Sequence, residues 1–192
     1  MSRIYKSAPL PFMGQKRYFV RAFSEMLGTV EGKVDTVVDL FGGSGLLSHT
    51  AKAVLPGCRV VYNDYDGYTQ RLANISKTNE ILMLIKERLN GVQPNARLSD
   101  EQRADVLAIV EKYAATGYVD IMTIGRSVLF SGKWVKTLDE LRKPQCITAL
   151  SRAVMTAQAI LTVWKLSTWI IGNCLNCTRT TAGRCLCWTR RI

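Results

Sequence analysis

Beyond Lys143 the chain contains no aspartate, no glutamate and none of its seven tyrosines. The same final stretch holds six basic residues, five of the six cysteines and three of the four tryptophans, whereas residues 1–143 carry 20 basic and 15 acidic residues. The formal charge of +11 suggests a polyanionic partner such as a phosphate backbone, yet more than half of that excess sits in the last quarter. Two compositions therefore share one chain. No apolar run near the start could serve as a secretory signal, so a cytoplasmic location and reduced cysteines are expected. The one long apolar run, Ala153 to Ile171, carries Lys165 and several polar residues and makes a weak membrane span. A single histidine, His49, falls on the segment after a glycine loop, where it reads as a partly exposed helical residue and not a catalytic base. At 192 residues the chain can bury one good core, with a small second lobe, without disulfides. A monomer is the default.

What is there begins with "VDTVVDL", Val34 to Leu40, a β-branched run that ends in "FGGSG" and leads into "LLSHTAKAVL". The pattern reads as strand, glycine loop and helix. Pro56-Gly57 stops the helix, and Cys58 to Asp64 reads as a second strand, giving a βαβ unit with a parallel sheet. The fold class is α/β. From Gly67 to about Asn90, Leu72, Ile75, Leu82, Ile85 and Leu89 recur near the helical period. Ser99 with Gln102 forms a capping box for a further helix through Val106, Ile109 and Val110, stopped by Gly117. Asp120 to Lys143 is expected to be helical, with a turn near Ser131-Gly132. The resulting division is an α/β core over residues 1–66, a mostly helical lobe over 67–143 and an anomalous tail over 144–192.

A glycine loop between strand and helix lets a ligand approach the backbone, with helix amides facing it. The dinucleotide pattern G-x-G-x-x-G fails here, because Ser48 stands where a third glycine is needed after Gly43 and Gly45. Asp64, 19 residues after Gly45 at the end of the second strand, suits a carboxylate that bonds ribose hydroxyls. Asp39, beside the loop, would repel a diphosphate but favour the ammonium and sulfonium of S-adenosylmethionine. Taken alone, these residues fit a plain tight turn equally well.

The N-terminal stretch "PFMGQKRYF" distinguishes the two. Phe12, Gly14 and Lys16 match the pattern aromatic-x-Gly-x-Lys, and Asp39, Phe41, Gly42, Gly43 and Gly45 match Asp/Glu-x-Phe-Gly-Gly-x-Gly. Asn63-Asp64 supplies an Asn-Asp pair. In this order the three motifs resemble the Dam-type DNA adenine methyltransferases. The resemblance implies a Rossmann-like core that binds S-adenosylmethionine through these residues, with Asp64 on the ribose, and a helical insertion that reads double-stranded DNA. It also implies a catalytic Asp-Pro-Pro-Tyr that holds a flipped adenine, and no such stretch occurs in the chain. The likeness runs from residue 9 to about residue 143, so the core is incomplete.

Cys174-x-x-Cys177 and Cys185-x-Cys187 could be read as four thiolates around zinc, which would make the chain a non-catalytic DNA-binding protein with a metal-stabilised tail. A shifted reading frame accounts for more. Trp is always TGG, and Trp164, Trp169 and Trp188 each precede a residue whose codon starts with A, so the shifted triplets GAA, GAT and GAC encode Glu, Asp and Asp. Each Cys or Trp codon becomes a triplet for Leu, Val or Met. At the end, Cys187-Trp188 must give Leu and Trp188-Thr189 must give Asp, while the next three triplets can give Pro, Pro and Tyr. The tail is therefore expected to be the out-of-frame form of Leu-Asp-Pro-Pro-Tyr, the chain truncated and inactive, and neither a catalytic residue nor a metal ligand is assigned.

Overall fold

The structure, a computed structural model, describes residues 4–93, 96–129 and 134–143, together with the backbone of two strands, Ile170–Ile171 and Cys185–Trp188. The chain divides into two compact units, one of Met1–Thr69 with Trp164–Ile192 and one of Gln70–Val163.

In the first unit a 3-10 turn, Arg17–Phe19, leads into helix α1 (Val20–Thr29), which buries Val20, Phe23 and Leu27 on one side. These follow one another by three and four positions, which places them on one helical stripe. Strand β1 (Thr36–Asp39), helix α2 (Leu46–Val54) and strand β2 (Arg59–Tyr62) form the expected βαβ unit, and β1 pairs with β2 in parallel, Val37 opposite Val60 and Asp39 opposite Tyr62. Val37, Val38, Val60, Val61 and Tyr62 are all buried, the continuous apolar run of a parallel sheet covered on both faces. Strand β3 (Ile170–Ile171) pairs in parallel with β2, and strand β4 (Cys185–Trp188) pairs in parallel with β1, Thr36 opposite Cys185 and Asp39 opposite Trp188. The spatial order is β3-β2-β1-β4.

The helix expected from Gly67 to Asn90 is two helices, α3 (Tyr68–Ala73) and α4 (Ile75–Arg88), separated at Asn74 with φ −102° and ψ 17°. At the break the Gln70 carbonyl accepts both the Asn74 backbone amide at 3.2 Å and the Asn74 side-chain amide at 2.8 Å. In the second unit α5 (Asp100–Ala115) carries the expected capping box, Ser99 Oγ accepting from the Gln102 amide at 3.2 Å and Gln102 Oε1 accepting from the Ser99 amide at 2.9 Å. Between Asp120 and Lys143 the helices are α6 (Ile121–Val128) and α7 (Leu138–Arg142), capped by Asp120 and Thr137. The Ser131-Gly132 turn lies outside the described residues. Ile81, Ile85, Val106, Val110, Ile124, Val128 and Leu141 form a continuous core for this unit.

Among the described residues no helix is long and apolar enough to cross a membrane. The Ala153 to Ile171 run lies outside them except at its end, where the Ile170–Ile171 backbone is strand β3. The Cys174 and Cys177 side of the zinc reading also lies outside the described residues.

Candidate cofactor site

Strand β1 ends at Asp39, and the chain reverses through Leu40 to Gly45 before α2 begins. Gly43 and Gly45 sit in the left-handed region at φ 51° and 67°, where a side chain would be strained. The Gly45 amide donates to the Gly42 carbonyl at 2.8 Å and the His49 amide to the Gly45 carbonyl at 2.8 Å, so the turn closes and passes directly into the helix.

Gly42 is needed for a different reason. A Cβ there would fall inside the ring of Tyr62 and 2.8 Å from the Asn63 carbonyl oxygen. Tyr62 is buried, and its hydroxyl lies 2.6 Å from the Gly43 carbonyl and 3.1 Å from Asp64 Oδ1. Burial, together with the adjacent Asp64 carboxylate, pushes that hydroxyl far above its ordinary pKa, so it stays protonated and donates. The Asn63 side-chain amide donates to the Leu40 carbonyl at 2.9 Å. The exit of β2 is thus fastened to the exit of β1.

The N-terminal motif completes the wall. The Phe12 ring stands where a Cβ on Gly43 would be 3.2 Å from it, and it meets Tyr68 edge-on at 5.6 Å. Lys16 donates from Nζ to the Phe41 carbonyl at 2.6 Å, and Gly14 turns at φ 75°. Phe12, Gly14, Lys16, Phe41, Gly42 and Gly43 line one cavity of about 450 Å³, together with Asn63, Tyr65 and Asp66. That volume suits a small organic ligand of nucleoside size.

The other three assigned residues lie behind this wall. Gly45 is the N-cap of α2. Asp39 is 3% exposed; its Oδ2 accepts from Ser48 Oγ at 2.7 Å, and its Oδ1 is buried with no hydrogen-bond partner among the described residues. Ser48, which breaks the dinucleotide pattern, is therefore the group that holds Asp39. Asp64 does not line the cavity, and its two oxygens cap α3. Oδ1 accepts from the Tyr68 amide at 2.6 Å and Oδ2 from the Thr69 amide at 3.0 Å and from the Thr69 hydroxyl. In the second unit Arg142 is paired with Glu111 and Asp139 at 2.8 and 2.6 Å. Among the described residues no cluster could hold a metal ion.

His49 is half-buried, its ring 5.1 Å from Tyr5 and steeply inclined to it. Burial lowers its pKa below 6.5, so the folded protein holds the imidazole neutral at pH 7. The unfolded chain then binds the proton more readily, and stability contributed by this group is present above pH 6.5 and lost as pH falls below it. In His49→Phe, which keeps an aromatic ring against Tyr5, the loss of stability below pH 6.5 is expected to be shallower, as read by urea unfolding at stepped pH. An unchanged acid limb would remove His49 from that role.

No family model and no solved structure matches the chain. It is similar to a protein of Haemophilus influenzae named "Putative methyltransferase", at 41% identity over 143 residues that cover 72% of this chain and 48% of the relative. The chain spans about half the length of that relative.

Proposed function

We propose that the first unit is the S-adenosylmethionine site of an adenine-specific DNA methyltransferase of the Dam type, within a Rossmann-like core. The observation that carries this reading is the convergence of all three motifs on one cavity, with an unpartnered buried carboxylate behind it. The donor set fits the cofactor. Gly42 and Gly43 let the ligand approach the backbone, and the buried Asp39 carboxyl, outside the cavity lining, favours a cation nearby over a diphosphate. When bound, S-adenosylmethionine supplies an electrophilic methyl on a sulfonium. Lys16 and Tyr62 keep the loop carbonyls of Phe41 and Gly43 occupied, which fixes the wall against which the ligand is oriented.

Double-stranded DNA as the partner, and the exocyclic amine of adenine as the acceptor, rest on the motif resemblance. The register of β4 adds support for the shifted frame. Trp188 stands opposite Asp39, so the shifted Leu-Asp-Pro-Pro-Tyr would leave the sheet at the strand end beside the glycine loop. An extended strand in parallel pairing is also a poor backbone for the second half of a zinc knuckle, which needs a turn between its cysteines.

The chain as it stands is expected to bind labelled S-adenosylmethionine and to transfer no methyl group to unmethylated DNA. Asp39→Asn is expected to weaken binding about tenfold while leaving the free protein as stable or more so, because the buried charge is removed. Turnover by this chain would overturn the inactivity, and absence of cofactor binding at saturation would overturn the site. The nucleotide sequence across codons 143 to 192 tests the frame directly.

A further inference from the structure

We propose that Tyr68, which does not line the cavity, is a positioning residue for its aromatic wall: its hydroxyl fastens the N-terminal segment at Leu10 and so fixes Phe12 against the glycine loop. The proposal rests on the S-adenosylmethionine reading of the cavity and names a residue that none of the three motifs contains.

Phe12 sits in a segment with few donors of its own. Between Ala8 and Phe12 stand Pro9 and Pro11, and neither has a backbone N–H. The Ala8 amide donates to Gln15 Oε1 at 3.1 Å and Gln15 Nε2 donates to the Leu10 carbonyl at 3.3 Å, so the Gln15 side chain closes the segment upon itself. The Leu10 amide turns the other way. It reaches across 58 positions to the Tyr68 hydroxyl, at 3.0 Å and buried. Burial of Tyr5, Ala8 and Leu10 also attaches the segment, but apolar burial is non-directional and does not fix where the following residues stand. A hydrogen bond does. Pro11, its φ locked by the ring, then makes a stiff link from Leu10 to Phe12.

Tyr68 is itself held in place. It is 1% exposed, its amide donates to Asp64 Oδ1 at 2.6 Å, and its ring meets Phe12 edge-on at 5.6 Å. Phe12 in turn stands 3.2 Å from where a Cβ on Gly43 would lie. A continuous path therefore runs from the exit of β2 through Asp64, Tyr68 and Leu10 to the ring that faces the loop.

The test compares Tyr68→Phe with the wild type in the full chain. The substitution keeps the ring against Phe12 and removes only the hydroxyl. Calorimetry with S-adenosylhomocysteine should show affinity about tenfold lower, and hydrogen exchange in the ligand-free chain should show the Leu10 amide opening faster. In a Phe12→Ala background, where the ring is already lost, adding Tyr68→Phe should change affinity by less than about twofold. Leu27→Val, a buried change in α1 outside the site, should lower the unfolding temperature without lowering affinity. Unchanged affinity in Tyr68→Phe would overturn the proposal, as would a full further loss in the Phe12→Ala background or an equal loss in Leu27→Val. A wild type that binds no ligand at saturation would overturn the cofactor reading itself. Faster Leu10 exchange in Tyr68→Phe would then still support the tether, and unchanged exchange would overturn it.

Discussion

Replacing Asp120 by alanine is expected to destabilise the unit Gln70–Val163 by about 3–5 kcal/mol, the usual cost of stripping one partner from a buried ion pair. The side chains of Arg71 and Asp120 are 5% and 2% exposed. Arg71 Nε lies 3.1 and 3.0 Å from the two carboxylate oxygens, and Nη2 donates to Thr123 Oγ1 at 3.0 Å. Thr123 in turn donates its amide to Asp120 Oδ1 at 3.1 Å and its hydroxyl to Oδ2 at 2.6 Å. Alanine at 120 would remove the cap of α6 and leave a guanidinium buried without its counter-ion. The size of the effect lies in that stranded charge more than in the attraction lost. Arg71→Met combined with Asp120→Leu should therefore recover part of the stability, since the stranded charge is removed while the Thr123 amide and hydroxyl still lose their acceptor. Urea unfolding of the two single variants and the double variant measures the coupling. A loss below about 1 kcal/mol in Asp120→Ala would sink this account.

The parts of the fold visible in the sequence are those governed by near neighbours. The β-branched run before Phe41, the glycines after it and the Ser99 to Gln102 box each state their own conformation, and β1, the loop and α5 follow. The long helix from Gly67 breaks at Asn74, where the side chain also bonds the Gln70 carbonyl, and apolar spacing does not register such a bond. The Arg71 to Asp120 pair spans 49 positions, and no local pattern announces it.

The site divides the same way. Glycine-rich and aromatic motif residues were readable as a ligand wall, and Phe12, Gly14, Lys16, Phe41, Gly42 and Gly43 do share one cavity. That Asp64 caps α3 is not legible in this way, because it depends on where α3 starts, which brings the Tyr68 and Thr69 amides to its oxygens. Tyr62 was hidden because an aromatic at the end of a buried strand reads as core. Only its approach to Gly42 and its hydroxyl at 2.6 Å from the Gly43 carbonyl mark it as part of the wall. The one legible signal was its position directly before Asn63-Asp64.

Gly42→Ala is the second substitution with a large expected effect, and it separates two reasons for a glycine. The methyl would enter the Tyr62 ring and approach the Asn63 carbonyl to 2.8 Å, so a backbone and a buried aromatic must both give way. Overpacking of this kind costs about 1–3 kcal/mol. Any shift of the Tyr62 ring also moves its hydroxyl off the Gly43 carbonyl, and the cavity wall moves with it. Affinity for S-adenosylmethionine should accordingly fall about tenfold or more, in step with the lost hydrogen bond and the displaced wall. Adding Tyr62→Ala to Gly42→Ala should cost less than the sum of the two single changes, with a coupling of about 0.5–3 kcal/mol in a double-mutant cycle, and return none of the affinity. Gly28 provides the control. It lies in α1 with open space at its Cβ position and no left-handed backbone, so Gly28→Ala should stabilise the chain by about 0.5–1 kcal/mol and leave binding unchanged. Equal effects at Gly42 and Gly28 would mean that the loop is held by something other than the Tyr62 ring.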